Sequence, residues 1–197
     1  MLGGPAAAAA GNLRRGRTVP RRPPAAGTRR GLSVGVGTLA LRDWLDQRGD
    51  HGAVVEGLDL SAPMLAVARV RDRDGRIAAW HHAAAEATGL AAASVDLITL
   101  QFVCHELPQR ATVAVLAEMA RLLRPCGTLA LVDQDPQSAV IRRLPAPIAT
   151  LLKITEPYLE QYFSLDLPAA LTQAGFERLR VAPCDLRHRV VVAQKAS

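Results

Sequence analysis

A chain of 197 residues with 49% apolar content has room for one sizeable core, and aromatic residues at 4% leave that core to Leu, Val and Ala. No stretch approaches the roughly 18 uninterrupted apolar residues of a membrane helix, and three scattered cysteines without a CxxC pair argue for reduced intracellular thiols over a disulfide frame or a zinc site. The net charge of +6 belongs to the first 30 residues, which hold seven arginines and no acid; without them 17 basic residues face 18 acidic ones.

Residues 1–30 are rich in Ala, Gly, Pro and Arg and offer little to bury, so a disordered basic leader is expected there, with one folded domain over 31–197. Three roles are open for it. An organelle-targeting peptide, plastid or other, fits the arginines but not the lack of serine. An unstructured leader from an imperfect start to the coding sequence fits equally. A basic arm on nucleic acid is disfavoured, because no aromatic residue is present to stack on a base.

From Leu32 the pattern becomes regular. Leu32-Ser33-Val34-Gly35-Val36-Gly37-Thr38 is a short apolar run leading into a glycine turn, and Leu39, Leu41, Trp44 and Leu45 then repeat at helical spacing. A second apolar run, residues 54–61, carries Asp59 at its tip. Ser61 and Pro63 open a helix to about Asp72. Residues 77–82 read as a third strand, 83–89 as a loop or short helix, and 95–103 as a central strand apolar on both faces. A helix follows over 111–123, stopped by Pro125 to Gly127, and then a fifth strand over 128–133. Residues 141–152 are helical but broken by Pro145 and Pro147. Residues 167–174 form a short helix, and 176–181 and 190–193 are two closing strands. Strands alternating with helices predict an α/β fold with a Rossmann-like, doubly wound, mostly parallel sheet of seven strands, closed by an antiparallel strand.

In such a sheet ligands sit beyond the carboxyl ends of the strands. The glycine turn lets ligand atoms come against the main chain, and Asp59 can accept hydrogen bonds from both hydroxyls of a ribose. The unit asks for a nucleoside-containing ligand. Gly35-Val36-Gly37-Thr38-Leu39-Ala40 also matches G-x-G-x-x-A, which keeps an NAD(P)-binding oxidoreductase open. No metal-ligand cluster is read: His81 and His82 are neighbours on a strand and face opposite ways.

Read together, Val34-Gly35-Val36-Gly37-Thr38, Gly57-Leu58-Asp59-Leu60-Ser61, Ala85-Glu86, Val95-Asp96-Leu97-Ile98 and Leu122-Leu123-Arg124-Pro125-Cys126-Gly127-Thr128-Leu129 resemble the class I S-adenosylmethionine-dependent methyltransferases. His105-Glu106, Thr155-Glu156-Pro157-Tyr158 and Arg187-His188-Arg189 look more like a plant and algal branch with the type 11 methyltransferase domain. The resemblance implies S-adenosyl-L-methionine as cofactor and a small molecule as methyl acceptor, with no membrane span. It puts Gly35 and Gly37 in the cofactor turn, Asp59 and Leu60 at the ribose, Ala85 and Glu86 in the adenine loop, and Gln101 towards the methionine part. His105, at the site mouth, would orient or deprotonate the acceptor; the plainer alternative is a structural histidine.

Departures from the family's pattern carry expectations of their own. Ser33 stands where an acid usually precedes the first glycine, Leu39 replaces the third glycine, Ala84 an acid or Asn near the adenine, and Cys126 a glycine. Arg29-Arg30 stand where strand residues should begin, so a shortened first strand is expected, its neighbours left with unpaired main-chain groups. An inactive or cofactor-binding-only relative is the corresponding alternative function, truncated or divergent at its N-terminus.

Overall fold

The computed structural model describes residues 28–197; residues 1–27, where most of the expected basic leader falls, lie outside the described residues. The opening strand, turn and helix are β1 (Arg30–Gly35) and α1 (Thr38–Gln47), followed by β2 (Val54–Asp59) and α2 (Ala62–Arg71). Ser61 caps α2, its hydroxyl accepting the Met64 N–H, with a proline in the first turn. Then come β3 (Ala79–His82), β4 (Val95–Gln101), a 3-10 turn (Cys104–Glu106), α3 (Gln109–Leu122) and β5 (Leu123–Gln134). The chain continues through α4 (Ala139–Arg142) and α5 (Ala146–Thr155), parted just before Pro145, which caps α5. It closes with α6 (Leu159–Ser164), α7 (Leu167–Gln173), β6 (Phe176–Pro183) and β7 (His188–Lys195).

The strands form one seven-stranded sheet in the order β3-β2-β1-β4-β5-β7-β6. All pair in parallel except at β7, which is antiparallel to both β5 and β6. The expected doubly wound sheet with one closing antiparallel strand is therefore what forms. Successive residues of β4 serve opposite faces, as the strand repeat requires. Ile98 joins the larger core with Leu32, Leu58, Met119 and Leu131, while Leu97 packs on the smaller one with Leu41, Leu45, Val55 and Ile77.

The expectation of a shortened first strand is not met. β1 is six residues long, as is β2, and it holds five residues in register with each of its neighbours β2 and β4. Arg30 belongs to the strand because its main-chain N–H and the tip of its side chain find partners, with only Nε left without one. Its guanidinium donates to Glu56 at 2.6 Å, and its N–H donates to the Asp96 carboxylate at 2.8 Å. The Arg29 carbonyl accepts the Val54 N–H at 2.8 Å. Main-chain groups that a short strand would orphan are thus paired.

Other boundaries also shift. Pro125 to Gly127 do not stop α3; the helix ends at Leu122 and β5 begins at once. The register against β4 steps from Val95–Leu123 to Leu97–Thr128, so residues 124–127 loop out, with Cys126 at φ +60 where glycine would be at ease. β3 starts two residues later than expected, β6 and β7 run longer, and α6 is an element that the residue pattern does not announce.

Candidate functional site

β1, β2 and β4 run the same way and end together at Gly35, Asp59 and Gln101. Between β1 and β4 the strand order reverses, which is where open α/β sheets leave a crevice. A cleft of about 640 Å³ opens there, a size suited to a nucleoside ligand. Its wall takes Gly35 and Val36 from the β1–α1 turn, Asp59, Leu60 and Ser61 from the end of β2, Ala85 and Glu86 from the β3–β4 loop, and Gln101 from β4. Phe102, Val103, Glu106 and Leu107 complete the far side.

Gly35 sits at φ +85, and a Cβ on it would stand 2.6 Å from the Gln101 carbonyl oxygen, so the turn can be this tight only with glycine. Gly37 lies in the same turn. It is buried at the N-cap of α1, it does not line the cleft, and a Cβ there would fall on the Gln101 side-chain oxygen. It makes room for Gln101 beneath the turn. Ser33, in the acid's place, is fully buried, and its hydroxyl has no hydrogen-bond partner.

One oxygen of the Asp59 carboxylate accepts the Ser61 N–H at 2.8 Å, which fixes the side chain at the tip of β2; the other takes no partner among the described residues. The cap of α2 is Ser61, so the cap role that competes for Asp59 is already filled. His81 bonds Glu56 at 2.8 Å and His82 bonds the Leu60 carbonyl at 2.8 Å, turned to opposite faces. Among the described residues no group of three or more His, Cys, Asp or Glu side chains is arranged to hold a metal.

His105 fits the structural-histidine alternative by its geometry. It lies next to the cleft but not in its wall: its side chain is buried, with Nδ1 2.6 Å from Asp133 and Nε2 3.8 Å from Glu156. Burial works against an imidazolium there. The Asp133 hydrogen bond and charge, with Glu156 and Glu106 nearby, outweigh it and hold the His105 pKa above its ordinary value. Asp133, fully buried at the tip of β5, also accepts the N–H groups of Cys104, His105 and Gln134. It pins the 3-10 turn, and with it the place of Glu106 in the cleft wall.

The ring of Tyr162 completes this cluster, fully buried under the Arg189 guanidinium at 5.9 Å; burial first, then the Asp133 charge, pushes its phenol well above the usual range. The three stretches His105-Glu106, Thr155–Tyr158 and Arg187–Arg189 are thus neighbours in space, through His105, Glu156 and Arg189. Phe102 joins β4 to the 3-10 turn at φ +57, a left-handed conformation that a bulky residue adopts only when held. Its ring meets His188 edge-on at 5.0 Å. The residue pattern misses Phe102, Val103 and Leu107 as cleft residues and places Glu106 only beside His105 at the site mouth; the one signal for them is that they follow a central strand.

A sequence model described as a methyltransferase domain matches residues 32–131, just over half of the chain. No curated protein matches. Among solved structures, the fold is shared with the CurJ carbon methyltransferase at 20% identity and TM-score 0.63, over 90% of this chain and 50% of that one. It is shared with phosphoethanolamine N-methyltransferase 2 of Haemonchus contortus, in complex with S-adenosyl-L-methionine, at 17% and 0.64, over 86% and 49%. A SAM-dependent methyltransferase from Aquifex aeolicus matches at 22% and 0.61, over 84% and 81%. The chain spans about half the length of the first two. At these identities the likeness shows the fold.

Proposed function

The chain belongs to the methyltransferase-domain family, and we propose that it transfers a methyl group from S-adenosylmethionine to a small molecule. One observation carries the reading: beside a turn that only glycine can make, the cleft wall holds the carboxylates of Asp59, Glu86 and Glu106, and no Lys, Arg or His among the described residues. That charge pattern suits a ligand with a fixed positive charge. Bound there, S-adenosylmethionine supplies a methyl group on a positively charged sulfur.

The chain's own residues then do the positioning. Asp59, with one oxygen unused, accepts from the ribose hydroxyls; Leu60 and Ala85 offer apolar contact to the base; Gln101 faces the methionine part. The wall from Phe102 to Leu107 is left for the acceptor, which must be held in line with the methyl group and away from water. Where the acceptor sheds a proton, Glu106 is the carboxylate in that wall, and His105, buried against Asp133, acts by holding the turn that carries it.

Two features weigh against an NAD(P) oxidoreductase. A dinucleotide would set its pyrophosphate among three carboxylates with no cation in the wall, and the antiparallel β7 between β5 and β6 departs from the strand order 3-2-1-4-5-6 of dinucleotide-binding sheets. The stretches that meet around Asp133 support the plant and algal branch, and the arginine-rich N-terminus supports an organelle address. Incubation with a methyl-labelled donor and pooled small-molecule acceptors tests the activity. Labelled product that vanishes in Asp59→Ala is expected; cofactor binding without product from any pool would favour the binding-only relative.

A further inference from the structure

Glu106 brings an exposed carboxylate to the part of the cleft wall left for the acceptor, and that carboxylate takes no hydrogen bond or ion pair among the described residues. No described cation reaches it. His105, its neighbour, is held by Asp133 at 2.6 Å, and Arg189 lies over the Tyr162 ring. Arg110, four residues on in α3, is outside the cleft wall. The wall also stays negative when S-adenosylmethionine is bound, because that ligand carries two positive groups and one negative, a single net charge. Asp59 goes to the ribose, and Arg71 lines the adjoining groove that meets the cleft at Asp59. Glu86 and Glu106 remain, two carboxylates against one net positive charge. Glu106 is the one beside the acceptor's place.

Phe102 is an independent observation in the same wall. Its ring is held against His188 at 5.0 Å, and its backbone sits at φ +57. A bulky residue is kept in that region only at a cost in free energy, and such outliers collect at ligand sites. Val103 and Leu107 make the rest of this wall apolar. An aromatic ring and an unpaired carboxylate in an otherwise apolar wall are the groups that hold an ammonium. The ring acts through its quadrupole, the carboxylate through charge and hydrogen bonding.

We propose, on the reading of the cleft as an S-adenosylmethionine site, that the methyl acceptor is a primary or secondary amine on an apolar body, its ammonium received by Glu106 and Phe102. An acceptor bearing a carboxylate or phosphate meets like charge there with no cation to receive it, and a neutral hydroxyl forgoes the charge interaction. The step balances with no reactant beyond the methyl donor. The ammonium gives one proton to water beside the exposed Glu106. The freed nitrogen lone pair then forms the N–C bond as the C–S bond breaks, with its electron pair staying on sulfur. The methylated amine and S-adenosylhomocysteine are left.

Calorimetry on the full chain tests this with a matched series of probes. S-adenosylmethionine is titrated first; phenethylamine, phenethyl alcohol and hydrocinnamate are then titrated into the chain saturated with S-adenosylhomocysteine. The amine should bind about tenfold or more tighter than the alcohol, and the acid should give no binding. In Glu106→Gln, which keeps the side chain's shape at an exposed position, the thermal midpoint and the affinity for S-adenosylhomocysteine should hold while the amine falls to the affinity of the alcohol. Absence of S-adenosylmethionine binding would overturn the reading of the cleft and this inference with it. S-adenosylmethionine binding would leave that reading standing and overturn the inference alone under any of three results: the alcohol or acid bound as tightly as the amine, none of the three bound, or an amine preference that survives in Glu106→Gln.

Discussion

On the β1–β2 side of the cleft, the contributing groups lie between Val34 and Met64 and are placed by their own neighbours: a glycine at positive φ, and a carboxylate bonded two residues on. On the β4–β5 side, the wall depends on groups far apart in sequence. Asp133 reaches back 28 residues to His105, and Glu156 comes from the connection after α5. The first side is rigid because of local backbone geometry. The second is rigid because a buried carboxylate receives four hydrogen bonds. The two should therefore fail differently, one in binding and the other in folding.

The largest effect is expected from Asp133→Ala. It strips the 3-10 turn of its acceptor and leaves His105 buried without its partner, which should lower stability by about 3–5 kcal/mol in denaturant unfolding. A loss under about 1 kcal/mol would mean that the turn is held by packing alone. Asp59→Ala is the mirror experiment. It should weaken S-adenosylmethionine binding by about 1.5–3 kcal/mol in calorimetry and leave the thermal midpoint almost unmoved. An equal affinity would remove Asp59 from the site.

That contrast is also where the residues could and could not be read. The glycine turn, Asp59 and the order of strands follow from local patterns, since each depends on a few adjacent residues and their spacing. Asp133 looked like no more than the end of a strand, because nothing in its neighbourhood states that Cys104 and His105 will fold onto it. Likewise Glu106 was legible as the acid beside His105, but not as the member of the pair that faces the cleft. Arg29 and Arg30 misled for the same reason: the acids that accept them, Asp50, Glu56 and Asp96, come from later in the chain.

Cys126 offers a smaller effect that touches neither side of the cleft. It lies near the start of β5, at the end of the strands away from the cleft, at φ +60, so Cys126→Gly should relieve about 1 kcal/mol of strain, partly offset by glycine's entropy. A modest rise in midpoint with unchanged cofactor affinity is expected; a fall would show that the left-handed turn is not strained.

The smallest effect is a pH dependence. The folded-state pKa of His105 lies above the unfolded one, so its contribution is complete below the ordinary histidine pKa of 6.5 and is lost as pH rises through the folded value. The thermal midpoint of the parent should therefore decline slightly between about pH 6 and 8, and more than that of His105→Asn. Equal slopes would assign the decline to other groups.

The central claim, that the cleft between β1, β2 and β4 holds S-adenosylmethionine, is tested most directly by calorimetric titration of the full chain with S-adenosylmethionine and, separately, with NAD. Saturable one-to-one binding of S-adenosylmethionine is predicted, with no heat from NAD, and with binding abolished in Gly35→Ala, where the added Cβ collides with the Gln101 carbonyl. Binding of NAD in preference to S-adenosylmethionine, or binding of S-adenosylmethionine that Gly35→Ala leaves intact, would contradict the account.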